Sequence, residues 1–307
     1  MSLIQLPVRE ASARAEKAVQ EKITAQTLLA KKQARQPITA LTAYDYPTAR
    51  LVDQAGIDLL LVGDSLGMAV LGYDSTLPVT LDEMLHHTRA VRRAVQRALL
   101  VADMPFGSYQ VSTEQAVANA LRFIKEAGAE AVKIEGGRNR AALVSTLTQA
   151  EIAVVGHVGL TPQSVHRMGY RVQGRSIAAI DDLLSDALAL EAAGAIAIVL
   201  ECVPREVAAH ITAALAIPTI GIGAGPECDG QILVFHDLVN LTNTTPAKFV
   251  RQYADMGALL TGAIARYRDD VTAHNFPSDA ESYHLPAAIA DTLAAPFATE
   301  VPLERCK

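Results

Sequence analysis

Ile57-Asp58-Leu59-Leu60-Leu61-Val62-Gly63-Asp64-Ser65 is apolar until its last residues, where a carboxylate and a hydroxyl stand side by side. A run of this kind predicts a strand covered on both faces, as in a parallel sheet, that delivers Asp64 and Ser65 to its carboxyl edge. The form recurs in LLVAD ending at Asp103, AVKIE ending at Glu135, IAVVGH ending at His157 and AIAIVLE ending at Glu201. A strand buried on both faces has no structural need for charge, and ionisable groups at the carboxyl ends of barrel strands usually line an active site.

Outward from that stretch the chain alternates strands and helices from Pro37 to about residue 267. Residues 38–43 read as the first strand and 48–54 as its helix, stopped at Gly56. Thr80-Leu81-Asp82-Glu83 forms a capping box opening a helix to about residue 98, and Ser112-Thr113-Glu114-Gln115 offers a second box before a helix ended by Gly128. Lys133 and Glu135 are two apart, so an extended strand points both at one face. Further helices are predicted over 180–193, 204–215 and 246–269, and the last strands over 218–225 and 232–235. The count of eight strand–helix units predicts an α/β protein of the (β/α)8 TIM-barrel type. A doubly wound sheet would need a glycine fingerprint near the first strand, which the sequence lacks. The expected organisation is an N-terminal helical arm outside the core over residues 1–36, a catalytic barrel over 37–270 and a loop-like C-terminal tail over 271–307, the last marked by Pro277, Pro286 and Pro296. Residues 66–79 are too long and glycine-punctuated for a plain connector and are a lid candidate.

The 307 residues are 50% hydrophobic, enough for one large core. A net charge of -6 with scattered Lys and Arg gives no basic field for a phosphate backbone and speaks against nucleic-acid binding. Three cysteines, Cys202, Cys228 and Cys306, without CxxC spacing speak for a reducing compartment and against a thiolate zinc site. No apolar run approaches the roughly 18 residues that span a membrane. Glu10, Glu16 and Glu21 argue against a mitochondrial presequence, so a cytoplasmic protein is expected.

Asp64, Asp103 and Glu135 come from successive strands and bring hard oxygen donors to one side of the barrel mouth, a set suited to Mg2+ completed by water and a chelating substrate. Alternatively, each caps a strand end or pairs with an arginine. Lys133 offers a Schiff base or an electrostatic group for an enolate or carboxylate, or else an ion pair with Glu135; acidic neighbours keep it charged, which disfavours the Schiff base. Glu201, after six apolar residues, is a candidate general base whose partial desolvation would raise its pKa, or a surface-exposed strand end. His157 could donate to a substrate oxygen or be a satisfied structural residue. Ser65 could donate to a substrate carboxylate or start a turn. The glycines of Ile220-Gly221-Ile222-Gly223-Ala224-Gly225 allow either anion approach or close packing.

ITALTAYDYP from Ile38, LLLVGDSLGMAVLGYDSTLPVTLDEM from Leu59, VADMPFGSY from Val101, AVKIEGG from Ala131, VVGHVGLTPQSV from Val154, YRVQGR from Tyr170, IVLECVP from Ile198 and PTIGIGAGPECDGQILVFHD from Pro218 closely resemble the ketopantoate (3-methyl-2-oxobutanoate) hydroxymethyltransferase family of the phosphoenolpyruvate/pyruvate barrels. The resemblance implies a Mg2+-dependent enzyme of pantothenate biosynthesis that transfers a one-carbon unit from 5,10-methylenetetrahydrofolate to 3-methyl-2-oxobutanoate, giving 2-dehydropantoate. Carried onto matching positions, Asp64 and Asp103 resemble the metal ligands, with Glu135 completing that site. Ser65, Asp103 and Lys133 resemble the oxo-acid binding residues, Glu201 the proton acceptor and His157 an active-site histidine. It also implies a cytoplasmic homo-oligomer, commonly a homodecamer. The chain departs from the family pattern at Met168-Gly169, where two glycines are usual, and at Leu238-Val239-Asn240 in place of Met-Leu-Gly. Two rivals stand beside this reading: a metal-dependent lyase acting on another 2-oxo acid without folate, and a non-catalytic barrel retained for binding or assembly.

Overall fold

The computed structural model describes residues 21–242 and 245–294. Its elements in chain order are α1 (Ala25–Gln33), β1 (Ile38–Thr42), α2 (Tyr46–Gln54), β2 (Leu59–Val62), α3 (Leu66–Ala69), α4 (Leu81–Arg92), β3 (Leu99–Asp103) and α5 (Thr113–Arg122), which runs into a π-helical turn, Phe123–Ala127. There follow β4 (Ala131–Glu135), α6 (Arg138–Gln149), β5 (Val154–Gly159), a 3-10 turn Pro162–Ser164, α7 (Val165–Met168), α8 (Ile177–Ala192), β6 (Ala197–Glu201), α9 (Arg205–Ala214), β7 (Thr219–Ile222), β8 (Gly230–Leu233), α10 (Phe235–Leu238), α11 (Met256–Thr272) and α12 (Ala287–Ala294). The strands close in sequence order into a parallel barrel, β8 pairing back onto β1. This is the (β/α)8 TIM barrel that the strand–helix count predicts. The described residues fall into two compact units, one ending at Ala254 and the other beginning at Asp255. Among the described residues no helix is long and apolar enough to cross a membrane.

Period-two alternation sorts the strand residues between two cores. Ile38, Leu59, Leu61, Leu99, Val101, Val155, Val199 and Ile220 fill the barrel interior, while Leu60, Val62, Leu100, Val132, Ile198 and Leu200 pack outward with the surrounding helices. The interior cluster also contains Ile23 and Leu28, at 5% and 0% exposure. Ile23 and Leu28 of the expected outlying arm therefore belong to the core. The Ile23 amide donates to the Arg97 carbonyl, the Lys22 ammonium to the Ala98 carbonyl, and Lys31 and Lys32 pair with Asp58 and Asp229. All of these partners lie just before strands, so α1 stoppers the amino-terminal end of the barrel. Residues 1–20 of the expected arm lie outside the described residues.

Local signals account for most boundaries. Thr80 and Glu83 make the reciprocal capping box, and Ser112 caps α5 through the Gln115 amide alone. Several expectations shift: the helix opened by the Thr80 box ends at Arg92 rather than near residue 98, and the strand expected over 218–225 spans Thr219–Ile222. The last strand begins at Gly230 rather than residue 232, and its long helix begins at Met256 rather than near 246. The tail contains a 3-10 turn, Asp279–Glu281, and the helix α12 where a loop was expected.

Candidate active site

The inward columns of consecutive strands all end in ionisable groups at the carboxyl end. On β3 the column Leu99, Val101 leads to Asp103; on β4 Ala131 leads to Lys133 and Glu135; on β5 Val155 leads to His157; on β6 Ala197 and Val199 lead to Glu201. Strand register brings these together, with Asp103 opposite Lys133 and Glu135 opposite His157. Asp64 lies two residues beyond β2 and is fixed by its own amide, which donates to Asp103 Oδ2 at 3.1 Å. Ser65 opens α3 and shares a 2.8 Å hydrogen bond with the buried Tyr44 hydroxyl. The structure thus gathers Asp64, Ser65, Asp103, Lys133, Glu135, His157 and Glu201 around one cavity of about 210 Å³. A hollow of about 300 Å³ adjoins this cavity at Glu135 and one of about 840 Å³ lies beside β1 and β8, so the ionisable groups mark this one and size does not.

The electrostatics of the cavity are those of an excess of buried negative charge. Burial and the proximity of Asp103 and Glu135 raise the Asp64 carboxyl well above the usual range. Burial raises Asp103 too, despite the Lys133 ammonium 2.5 Å from its Oδ1. Burial alone would strip Lys133 of its proton, but Asp103, Glu135 and Asp64 outweigh it and drive its pKa up. Burial works against the charged form of Glu135 as well; its contacts with His157, with Lys133 and with the Gln163 amide overcome this and lower it. His157 touches Glu135 Oε1 through Nδ1 at 3.4 Å and Glu201 Oε2 through Nε2 at 3.2 Å. Burial and Lys133 disfavour the imidazolium, and these two carboxylates win, lifting its pKa to about 9. An imidazolium has no lone pair on either nitrogen to accept from an ammonium, so the 3.4 Å approach of Lys133 to Nδ1 is a contact without a shared proton.

Four carboxyl groups, Asp64, Asp103, Glu135 and Glu201, against two cationic groups, Lys133 and His157, fit a divalent cation by charge. Asp64 Oδ1 takes no hydrogen bond from any described residue, and Asp64 and Asp103 both line the cavity. Glu135 is more fully engaged, since its Oε2 accepts from the Gln163 amide at 3.0 Å and its Oε1 faces His157. Among the described residues no group of three or more His, Cys, Asp or Glu side chains is arranged to hold a metal ion. A cation here would lean on Asp64 and Asp103, with water and substrate oxygens in the remaining positions.

The sequence reading passed over several lining residues. Thr42, Met68, Thr76, Tyr170, Asp237 and Phe249 reach the cavity from a strand end, the short helices α3 and α10, and loops with no distinguishing period. Met68 and Thr76 belong to the lid candidate, which folds as α3 and a return segment anchored by the buried Leu66 and Val79. Gly159 keeps a φ of +97°, and a Cβ there would meet the Glu201 carbonyl at 2.3 Å, so β5 can lie against the end of β6 only as glycine. Gly223, at φ +64°, receives the Phe249 ring at 2.7 Å from where its Cβ would be. Close packing accounts for that member of the glycine-rich exit.

The model of the ketopantoate hydroxymethyltransferase family matches residues 22–279. A protein of Koribacter versatilis (strain Ellin345) named 3-methyl-2-oxobutanoate hydroxymethyltransferase is 66% identical over 273 residues, covering 89% of this chain and 92% of its own. One of the same name from Gloeobacter violaceus (strain ATCC 29082 / PCC 7421) is 60% identical over 79% of this chain and 94% of its own. Among solved structures, phosphonopyruvate hydrolase in complex with oxalate and Mg2+ superposes with a TM-score of 0.55 at 16% identity, over 87% of this chain and 94% of its own. The 2,3-dimethylmalate lyase of the PEP mutase/isocitrate lyase superfamily gives 0.53 at 16%, over 88% and 97%. These last two are similar in fold.

Proposed function

This chain belongs to the ketopantoate hydroxymethyltransferase family, and we propose that it transfers a hydroxymethyl group from 5,10-methylenetetrahydrofolate to 3-methyl-2-oxobutanoate, giving 2-dehydropantoate, with Glu201 as general base. The observation that carries the reading is the pairing of Glu201 and His157 across from Asp64, Asp103 and Lys133 in a cavity of about 210 Å³, sized for a small oxo acid.

Asp64 and Asp103 would hold Mg2+, with Glu135 behind them, and the bound ion would supply Lewis-acid polarisation of the keto oxygen. Lys133, charged and facing the same cavity, offsets negative charge developing on the oxo acid as the proton leaves C3. Ser65, oriented by Tyr44, is placed to donate to the substrate carboxylate. Glu201, with its side chain 17% exposed, takes the C3 proton, and His157 holds the Glu201 carboxylate at 3.2 Å. Water completes the transfer. Both C–N bonds of the methylene bridge break, the oxygen of water joins the methylene carbon, and the two hydrogens of water go to the folate nitrogens, leaving tetrahydrofolate. C3 bonds to that carbon, and the resulting alkoxide takes the proton held by Glu201. Cytoplasmic residence and a homodecamer are carried over from the family. An exposed apolar stripe on α11, formed by Leu260, Ile264, Tyr267 and Val271, supports an assembly of copies.

The test is Glu201→Gln. The variant retains 3-methyl-2-oxobutanoate binding and loses deuterium exchange at C3, followed by NMR in heavy water. Exchange at the wild-type rate would remove Glu201 from the role. Product formation independent of methylenetetrahydrofolate would remove the donor.

A further inference from the structure

The buried side-chain amide of Gln163 is engaged through both of its N–H donors and its oxygen. Gln163 is 5% exposed and sits in the 3-10 turn that follows β5. Its backbone N–H donates to Glu135 Oε2 at 3.0 Å. Its Nε2 donates to Asp64 Oδ2 at 2.9 Å and to the Met104 carbonyl at 3.0 Å. Its Oε1 accepts from the Tyr109 hydroxyl at 2.6 Å, and that hydroxyl accepts from the Glu135 backbone N–H at 3.3 Å.

The partners permit one orientation of this amide. A carboxylate and a carbonyl can only accept, so the NH2 must face Asp64 and Met104. The tyrosine oxygen already accepts from Glu135, so its proton is directed to Oε1. Reversing the amide would set an oxygen against two acceptors and leave the hydroxyl proton without a partner. Asp64 Oδ2 is thereby tied to the turn after β5, while Oδ1 has no donor among the described residues and belongs to the cavity. Glu135 is held by the same residue through its other edge.

We propose that Gln163, aligned by the Tyr109 hydroxyl, is a positioning residue that sets the Asp64 and Glu135 carboxylates in register for a divalent cation. This inference rests on the metal-dependent reading above. A purely structural role would make Gln163 a filler of buried hydrogen bonds whose loss lowers stability and leaves cation affinity alone.

The experiment compares wild type, Gln163→Met, Tyr109→Phe and the double variant. It measures Mn2+ affinity by electron paramagnetic resonance without substrate, melting temperature, and kcat against KM at graded Mg2+. Gln163→Met, close in volume, weakens Mn2+ binding by about 10- to 100-fold, the usual range for loss of a group that orients a metal ligand. Added Mg2+ restores part of its kcat. Tyr109→Phe shifts affinity in the same direction by less, and the double variant is no worse than Gln163→Met, because the hydroxyl acts through the amide. Unchanged Mn2+ affinity in Gln163→Met overturns the proposal, as does strict additivity of the two substitutions. Wild-type protein that fails to bind Mn2+ overturns the metal reading itself and the proposal with it. Should Gln163→Met fail to fold, the affinity of Tyr109→Phe decides alone.

Discussion

Lys133 is 5% exposed and contacts Asp103 at 2.5 Å and Glu135 at 4.0 Å. Neighbouring carboxylates hold it protonated, which makes it a fixed positive charge and a poor amine nucleophile. Lys133→Met should therefore leave Asp103 buried beside Asp64 and Glu135 without its counter-charge. The expected cost is about 3–5 kcal/mol of stability, read from urea unfolding, together with loss of turnover. A variant as stable as wild type would show that the pair contributes little. The residues legible in sequence share one signature, a buried apolar run that stops at a charge, and Asp103, Lys133, Glu135, His157 and Glu201 all carry it. Gln163 and Tyr109 carry no such mark. They lie in irregular connections, and their partners are 99 and 54 positions away respectively, Asp64 for the first and Gln163 for the second. Only closure of the barrel creates those contacts.

At the scale of elements, α1 was the least legible. Its residues AQTLLAKKQ hold a single fully buried side chain, Leu28, and read as polar surface. What fixes it is charge. Lys31 reaches Asp58, which also receives Arg97 and the Thr39 hydroxyl. Burial alone would raise the Asp58 carboxyl, but these donors outweigh it and hold its pKa below the ordinary value. The folded state then favours the ionised form. The stabilisation is complete above the unfolded value near 3.9 and is lost as pH falls through the lowered folded value. Asp58→Asn should cost on the order of 3 kcal/mol near neutral pH, and the gap from wild type should shrink below about pH 4 in unfolding curves. Equal gaps at pH 3 and pH 7 would contradict the argument. The capping box at Thr80 was legible because its partners are three residues apart, whereas α1 depends on partners at the feet of distant strands.

On the whole-molecule scale, the count of strand–helix units was enough to predict the closed barrel, since a parallel strand needs a crossover helix and each one announces itself by composition. The start of the last long helix was misplaced because Pro246 reads as a helix start, whereas the observed start is marked by Asp255, which accepts from the Ala258 amide. Within that helix, α11, the exposed Leu260, Ile264, Tyr267 and Val271 recur at spacings of four, three and four, which places them on one face. Ile264→Glu combined with Tyr267→Glu should lower the assembly mass in light scattering while leaving the secondary-structure signal intact. A wild-type mass of one chain would withdraw the homodecamer.

The helix seated under the strands has a bearing on traffic. With Ile23 and Leu28 closing one end, the barrel is a cup, and whatever reacts at the carboxylates enters and leaves by the same rim. A cup fills from the bottom. For the reaction proposed above, this would require the small oxo acid to settle before the one-carbon donor covers it, and the spent donor to lift away before the lengthened acid escapes.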